Sequence, residues 1–218
     1  MIPKVKICCI SSLQEAELAI KYGASAIGLV SEMPSGPGVI SEETIEQIAT
    51  SLPSNIDTFL LTSKQDVASI IKQLKKCKTK TVQIVDRLTD GSYSDIKTEF
   101  PNINIVQVIH VNNLESINEA IHISKYVDTI LLDSGNQQKE IKLLGGTGKT
   151  HNWELSKKIV ESVRVPVYLA GGLDAHNIIE AVEMVKPYGI DLCSGVRTNN
   201  KLDENKVKEF FQKLSLIS

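Results

Sequence analysis

The sequence predicts an α/β protein of the (β/α)8, or TIM-barrel, class, and three observations carry that prediction. Short apolar, β-branched runs alternate with stretches of helical period, the alternation occurs eight times, and no Gly/Pro-rich linker or break in composition divides the chain. Spread over 218 residues, the repeats leave roughly 27 residues per unit, enough for a strand, a helix and two short loops. Parallel strands joined by crossover helices follow. An open doubly wound sheet can be built from the same units, but the count of eight favours closure into a single barrel domain over residues 1–218.

Residues 5–10 form the first apolar run; Ser11 and Ser12 are capping candidates, and Leu13, Ala16, Leu18, Ala19 and Tyr22 mark a helix that Gly23 stops. Residues 26–30 then read as strand and 42–49 as helix, 58–61 as strand and 67–74 as helix. The fourth unit pairs a strand at 79–85 with a weaker helical stretch at 93–100, so its helix is expected to be short. Strands at 103–111, 129–133, 166–170 and 190–193 are followed by helices at 114–124, 153–163, 177–185 and 204–214. Runs such as 103–111 suit strands buried on both faces.

Composition narrows the function classes. With 24 Lys+Arg against 26 Asp+Glu the net charge is −2, so no general attraction to nucleic acid or anionic membrane is expected. No apolar run approaches the roughly 20 residues that span a bilayer, and the start of the chain does not read as a signal peptide. A cytoplasmic location is expected. Cys8, Cys9, Cys77 and Cys193 do not form a paired framework, which fits reduced thiols. His110, His122, His151 and His176 show no short ligand spacing, so no metal site is expected. The only arginines are Arg87, Arg164 and Arg197, which matters because a guanidinium fork is the best holder of a planar carboxylate.

In this fold the active site lies where the strands end. The first strand ends in Cys8-Cys9, and strict alternation sends those two side chains to opposite faces. The sixth ends in Leu131-Leu132-Asp133, an expensive place for an unneeded carboxylate. A thiol and a carboxyl facing one another across a barrel mouth can serve as proton acceptor and donor. The seventh and eighth endings, Ala170-Gly171-Gly172 and Asp191-Leu192-Cys193-Ser194-Gly195, are glycine-containing turns, and loops after these two strands are the recurrent phosphate site of the fold. Gly145-Gly146-Thr147-Gly148-Lys149-Thr150 superficially suggests a nucleotide loop, but it lacks the leading glycine and does not directly follow a strand.

Lys6-Ile7-Cys8, Leu131-Leu132-Asp133, the Gly145–Thr150 cluster with Trp153, Leu169-Ala170-Gly171-Gly172-Leu173 and Ser194-Gly195-Val196 resemble, in order and over nearly the whole chain, the motifs of the phosphoribosylanthranilate isomerase family. The resemblance implies an Amadori rearrangement of N-(5-phosphoribosyl)anthranilate to 1-(2-carboxyphenylamino)-1-deoxyribulose 5-phosphate in tryptophan biosynthesis. It implies Cys8 as general base and Asp133 as general acid, with the substrate phosphate near Gly171, Gly172, Asp191, Cys193 and Ser194. It implies no metal and no organic cofactor, a small phosphorylated substrate as partner, and a monomer or homodimer.

Five positions depart from the family pattern. The loop arginine of a Ser-Pro-Arg segment is Gly38; the histidine and glycine ending the fourth strand are Val85 and Asp86; the glycine after Cys8 is Cys9; and the glutamate after Ser-Gly-Val is Arg197. Arg87 and Arg197 follow the fourth and eighth strands and are the expected substitutes for the carboxylate-holding arginine. Two other functions stay open on the sequence: an isomerase of a different phosphorylated sugar amine, and a barrel that binds a phosphate compound without turnover.

Overall fold

The computed structural model describes residues 2–34, 36–134 and 152–217. Eight parallel strands close into a barrel in chain order: β1 (Lys4–Ile7), β2 (Ala26–Val30), β3 (Asp57–Thr62), β4 (Thr81–Ile84), β5 (Asn104–His110), β6 (Thr129–Asp133), β7 (Val167–Leu169) and β8 (Gly189–Leu192). β1 also pairs with β8, Lys4 opposite Gly189 through Ile7 opposite Leu192, which seals the seam. Helices α1 (Leu13–Tyr22), α2 (Glu42–Ser51), α3 (Val67–Cys77), α4 (Tyr93–Glu99), α5 (Glu115–Ile123), α6 (Trp153–Ser162), α7 (Ile178–Val185) and α8 (Glu204–Leu214) alternate with the strands. As expected, α4 is the shortest of them.

Helix starts follow local chemistry. Ser12, Ser41, Asp66, Asn152 and Asp203 each accept a hydrogen bond from a backbone N–H of the following first turn, satisfying a donor that the helix itself leaves over. Ser92 and Asp95 do so reciprocally at the short α4. Gly23, in left-handed backbone at φ 118°, ends α1.

Alternation along the strands builds two apolar layers. Ile7, Ile27, Leu60, Ile84, Ile105, Leu132, Leu169 and Ile190 point outward into the layer beneath the helices. Ala26, Val30, Phe59, Leu61, Val106, Val108, Leu131 and Tyr168 fill the interior. The interior also holds charge, because Lys6 is fully buried. A short antiparallel hairpin of β9 (Arg197–Thr198) and β10 (Lys201–Leu202), preceded by a single 3₁₀ turn at Ser194–Val196, follows β8. Among the described residues no helix is long and apolar enough to cross a membrane.

Candidate active site

The seam between β1 and β8 determines the chemistry at the C-terminal end of the barrel. Lys6 and Asp191 are register partners, and their side chains meet inside the barrel at 2.7 Å between Nζ and Oδ2. The ammonium also lies 5.1 Å above the Phe59 ring. Burial by itself would lower the Lys6 pKa, but the facing Asp191 charge, helped by Cys8, overrides it and holds the lysine charged. The sequence expectation for Asp191 is a place near the substrate phosphate; in the structure its buried carboxylate pairs with Lys6. Two residues before Cys193, it points into the barrel one layer below the mouth, where its partner is a cation.

Cys8 lies on the same inward face as Lys6 and belongs to the interior cluster. Gly28 of β2 makes room for it: a Cβ there would stand 2.9 Å from the Cys8 Sγ and 3.0 Å from the Lys6 Nζ. A hydrogen bond from the Cys9 thiol and the Lys6 charge bring the Cys8 thiol below its ordinary range, against the opposing effect of burial.

Cys9 overturns the alternation argument. It joins Cys8 in the interior cluster instead of pointing to the opposite face. The reason is its left-handed backbone at φ 62°, just past the end of β1, a conformation that costs a non-glycine residue about 1 kcal/mol. Glycine at this position in the family pattern suits that backbone. Gly38 lies directly over Cys9, and a Cβ on it would come within 2.5 Å of the Cys9 Cβ.

Arg197, an expected holder of the substrate carboxylate, has partners inside the protein. Its guanidinium is buried and donates to Glu15 at 3.1 and 3.2 Å, to the Asn200 carbonyl at 3.0 Å, and to the Cys8 and Cys9 carbonyls at 3.2 and 2.6 Å. It fastens the end of β1 to the loop after β8, with Nη1 and Nη2 both engaged by internal acceptors. Arg87 is placed differently. It is exposed after β4, holds Glu119 at 2.8 Å, and lines a cavity of about 370 Å³ with Gln65, Asp86, His110 and Asn112.

Asp133 ends β6 on the inward face of Leu131 and is buried; its Oδ1 accepts from the Ser134 N–H at 2.7 Å. Gly171 is close by, since a Cβ on it would lie 3.1 Å from that same oxygen. Gly171 and Gly172 both have left-handed backbone, at φ 85° and 64°. Gly195 abuts the Leu173 carbonyl so closely that no side chain fits. The turns after β7 and β8 are thereby packed together, with Cys193 and Ser194 between them and the seam. Residues 145–150 and His151 lie outside the described residues.

Three residues here had no assigned role in the sequence reading. Lys6 carried a readable signal, being a lysine inside an apolar strand. Gly28 and His110 did not. His110 ends β5 opposite Asp133 and contacts the Val85 carbonyl at 3.2 Å, while its Nδ1 has no partner among the described residues.

Fold and site together define a class: an α/β-barrel enzyme whose thiol, carboxyl and glycine turns gather at the C-terminal mouth. Comparison with known proteins makes the assignment particular. The profile of the family described as N-(5'-phosphoribosyl)anthranilate (PRA) isomerase matches residues 5–213. The N-(5'-phosphoribosyl)anthranilate isomerase of Nostoc punctiforme is 34% identical over 97% of this chain and 98% of its own. That of Methanosarcina acetivorans is 33% identical over 97% and 92%. The solved phosphoribosyl anthranilate isomerase of Thermotoga maritima superposes with a TM-score of 0.80 at 26% identity, covering 98% of each chain. The chain belongs to the N-(5'-phosphoribosyl)anthranilate isomerase family.

Proposed function

We propose that this chain opens the ribose ring of N-(5-phosphoribosyl)anthranilate and carries it to the 1-deoxyribulose product, with Asp133 and Cys8 as the proton-transfer pair. Asp133 protonates the ring oxygen, the C1–O bond breaks, and the aniline nitrogen supplies the electrons that form an iminium. The Cys8 thiolate then takes the C2 proton, leaving an enolamine that tautomerises to the ketose. One proton enters and one leaves, so the rearrangement needs no outside oxidant. The observation that carries this reading is the notch at Gly28, which holds the Cys8 sulfur inside the barrel beside a buried ammonium. A charge so placed favours a thiolate base.

The substrate phosphate belongs with the packed turns at Gly171, Gly172, Cys193 and Ser194, where left-handed backbone lets main-chain N–H groups converge. Asp191 is omitted from that site because its charge is committed to Lys6. Arg87 is the arginine open to the mouth side and is assigned to the anthranilate carboxylate; Arg197 is not, since its donors are used internally.

Complementation of a tryptophan auxotroph lacking this isomerase tests the reading. Rescue by the intact chain, lost in both Cys8→Ser and Asp133→Asn, is the expected result. Rescue that survives either substitution overturns the assigned pair. No rescue by the intact chain, with a sugar phosphate retained by the purified protein, favours a different phosphorylated amine.

A further inference from the structure

Cys193 directly follows Leu192, and Cys9 is the second residue past Ile7; Ile7 and Leu192 are the last register pair of the seam. Their sulfurs are 2.7 Å apart, so only a small inward shift separates them from the roughly 2.05 Å of a disulfide bond. Cys9 is held in place from three sides: by its left-handed backbone, by Arg197 on its carbonyl, and by Gly38 against its Cα and Cβ. Cys193 is half-buried, whereas Cys9 is buried, so an incoming reagent meets Cys193 first.

We propose that Cys9 and Cys193 are a dithiol that a small-molecule disulfide oxidises to a bridge across the barrel seam, and that the bridge suppresses turnover at Cys8. The Cys193 thiolate attacks the reagent's S–S bond, forming a mixed disulfide and releasing one small thiol. Cys9, already in contact, attacks the Cys193 sulfur of the mixed disulfide and expels the second small thiolate, which takes up the Cys9 proton. The two protein sulfurs lose two electrons in total, and the reagent's two sulfurs gain them.

The functional consequence rests on the assignment of Cys8 as the base. Cys9 follows Cys8 directly in the chain and packs in the same interior cluster, so drawing its sulfur onto Cys193 reshapes the wall around the Cys8 thiol. The neighbouring thiols and burial also push the Cys9 thiol well up, which keeps it an S–H group in the reduced chain. A bridge replaces the Cys9 S–H beside Cys8 and ties Cys9 to Cys193, at the start of the turn after β8.

The test uses the whole, fully reduced chain incubated with glutathione disulfide. Titratable thiols should fall from the four free cysteines to two, and peptide mapping should link Cys9 to Cys193. Isomerase turnover should drop at least tenfold and return with dithiothreitol. Cys193→Ser should keep all its remaining thiols under the same treatment. A persistent mixed disulfide, a Cys8–Cys9 link, four surviving thiols, or a bridged enzyme with undiminished turnover each overturns the proposal. Mapping reads the bridge without any assay, so its absence is distinguishable from an error in the role of Cys8, which shows instead as turnover retained by reduced Cys8→Ser.

Discussion

At the β8–β1 seam, Lys6, Asp191, Cys8, Cys9 and Arg197 are buried and hold one another through short polar contacts. On the β4–β5 side, Arg87 reaches into solvent and its ion-pair partner Glu119 is itself partly exposed. The contrast separates proton transfer from recognition. A thiol tuned by an ammonium needs a dry, rigid setting, because the same charge in water has little leverage. A recognition arginine gains from being free to move. An exposed pair such as Arg87–Glu119 is worth about 1 kcal/mol or less, so that side of the mouth can be rebuilt at small cost, and it is there that Val85 and Asp86 depart from the family pattern. The Lys6–Asp191 pair has no such freedom, since losing either partner strands a buried charge, although Cys9 and Arg197 beside it also depart from the family pattern.

The largest expected effect is on turnover. Cys8→Ser and Asp133→Asn should each lower kcat by on the order of 10³- to 10⁴-fold with the fold intact by circular dichroism; a loss below tenfold in either would move the chemistry away from the seam side. Next, Lys6→Met should cost about 3–4 kcal/mol in urea denaturation, because Asp191 is left buried and unpaired. In whatever Lys6→Met enzyme folds, the Cys8 thiol loses a charge that holds it down, so the acid limb of kcat/KM should move to higher pH. An unmoved limb would show that Lys6 is structural only.

A smaller effect sharpens the comparison from the other side. Gly38→Arg should destabilise by about 2 kcal/mol through its clash with Cys9 and its φ of 77°. Combined with Cys9→Gly, much of that loss should vanish, and a double-mutant cycle should return a coupling of about 1 kcal/mol; additive effects would mean that the two departures from the family pattern arose independently. Smallest is Arg87→Ala, expected to raise KM about tenfold, on the order of 1.4 kcal/mol, while stability changes by less than about 0.5 kcal/mol. An unchanged KM would leave the anthranilate carboxylate without an arginine.

The barrel was legible because its evidence is local. Each strand is an apolar run, each helix a periodic one, and Ser12 and Gly23 bracket α1 as their chemistry demands. The β9–β10 hairpin was not, since strands of two residues carry no period to read. Cys8 and Asp133 stand out in the sequence because each marks the end of an apolar strand run. Their surroundings were hidden for a physical reason: Lys6 finds Asp191 across 185 residues and Arg197 finds Glu15 across 182, through pairings set only when the barrel closes. Cys9 misled because alternation holds only while the backbone stays extended, and a single left-handed residue ends it.

The Lys6–Asp191 pair also bears on how the chain assembles. An ammonium resists entering an apolar interior alone, and its partner lies on the last barrel strand to be synthesised. β1 therefore cannot seat its inward face until β8 arrives. Six strands are synthesised between β1 and β8, and a ribosome-bound fragment ending before Gly189 lacks the counter-charge that Lys6 meets in the closed ring. The seam acts as a checkpoint on completeness: the thiol acquires its lowered affinity for protons only in a chain that has finished folding.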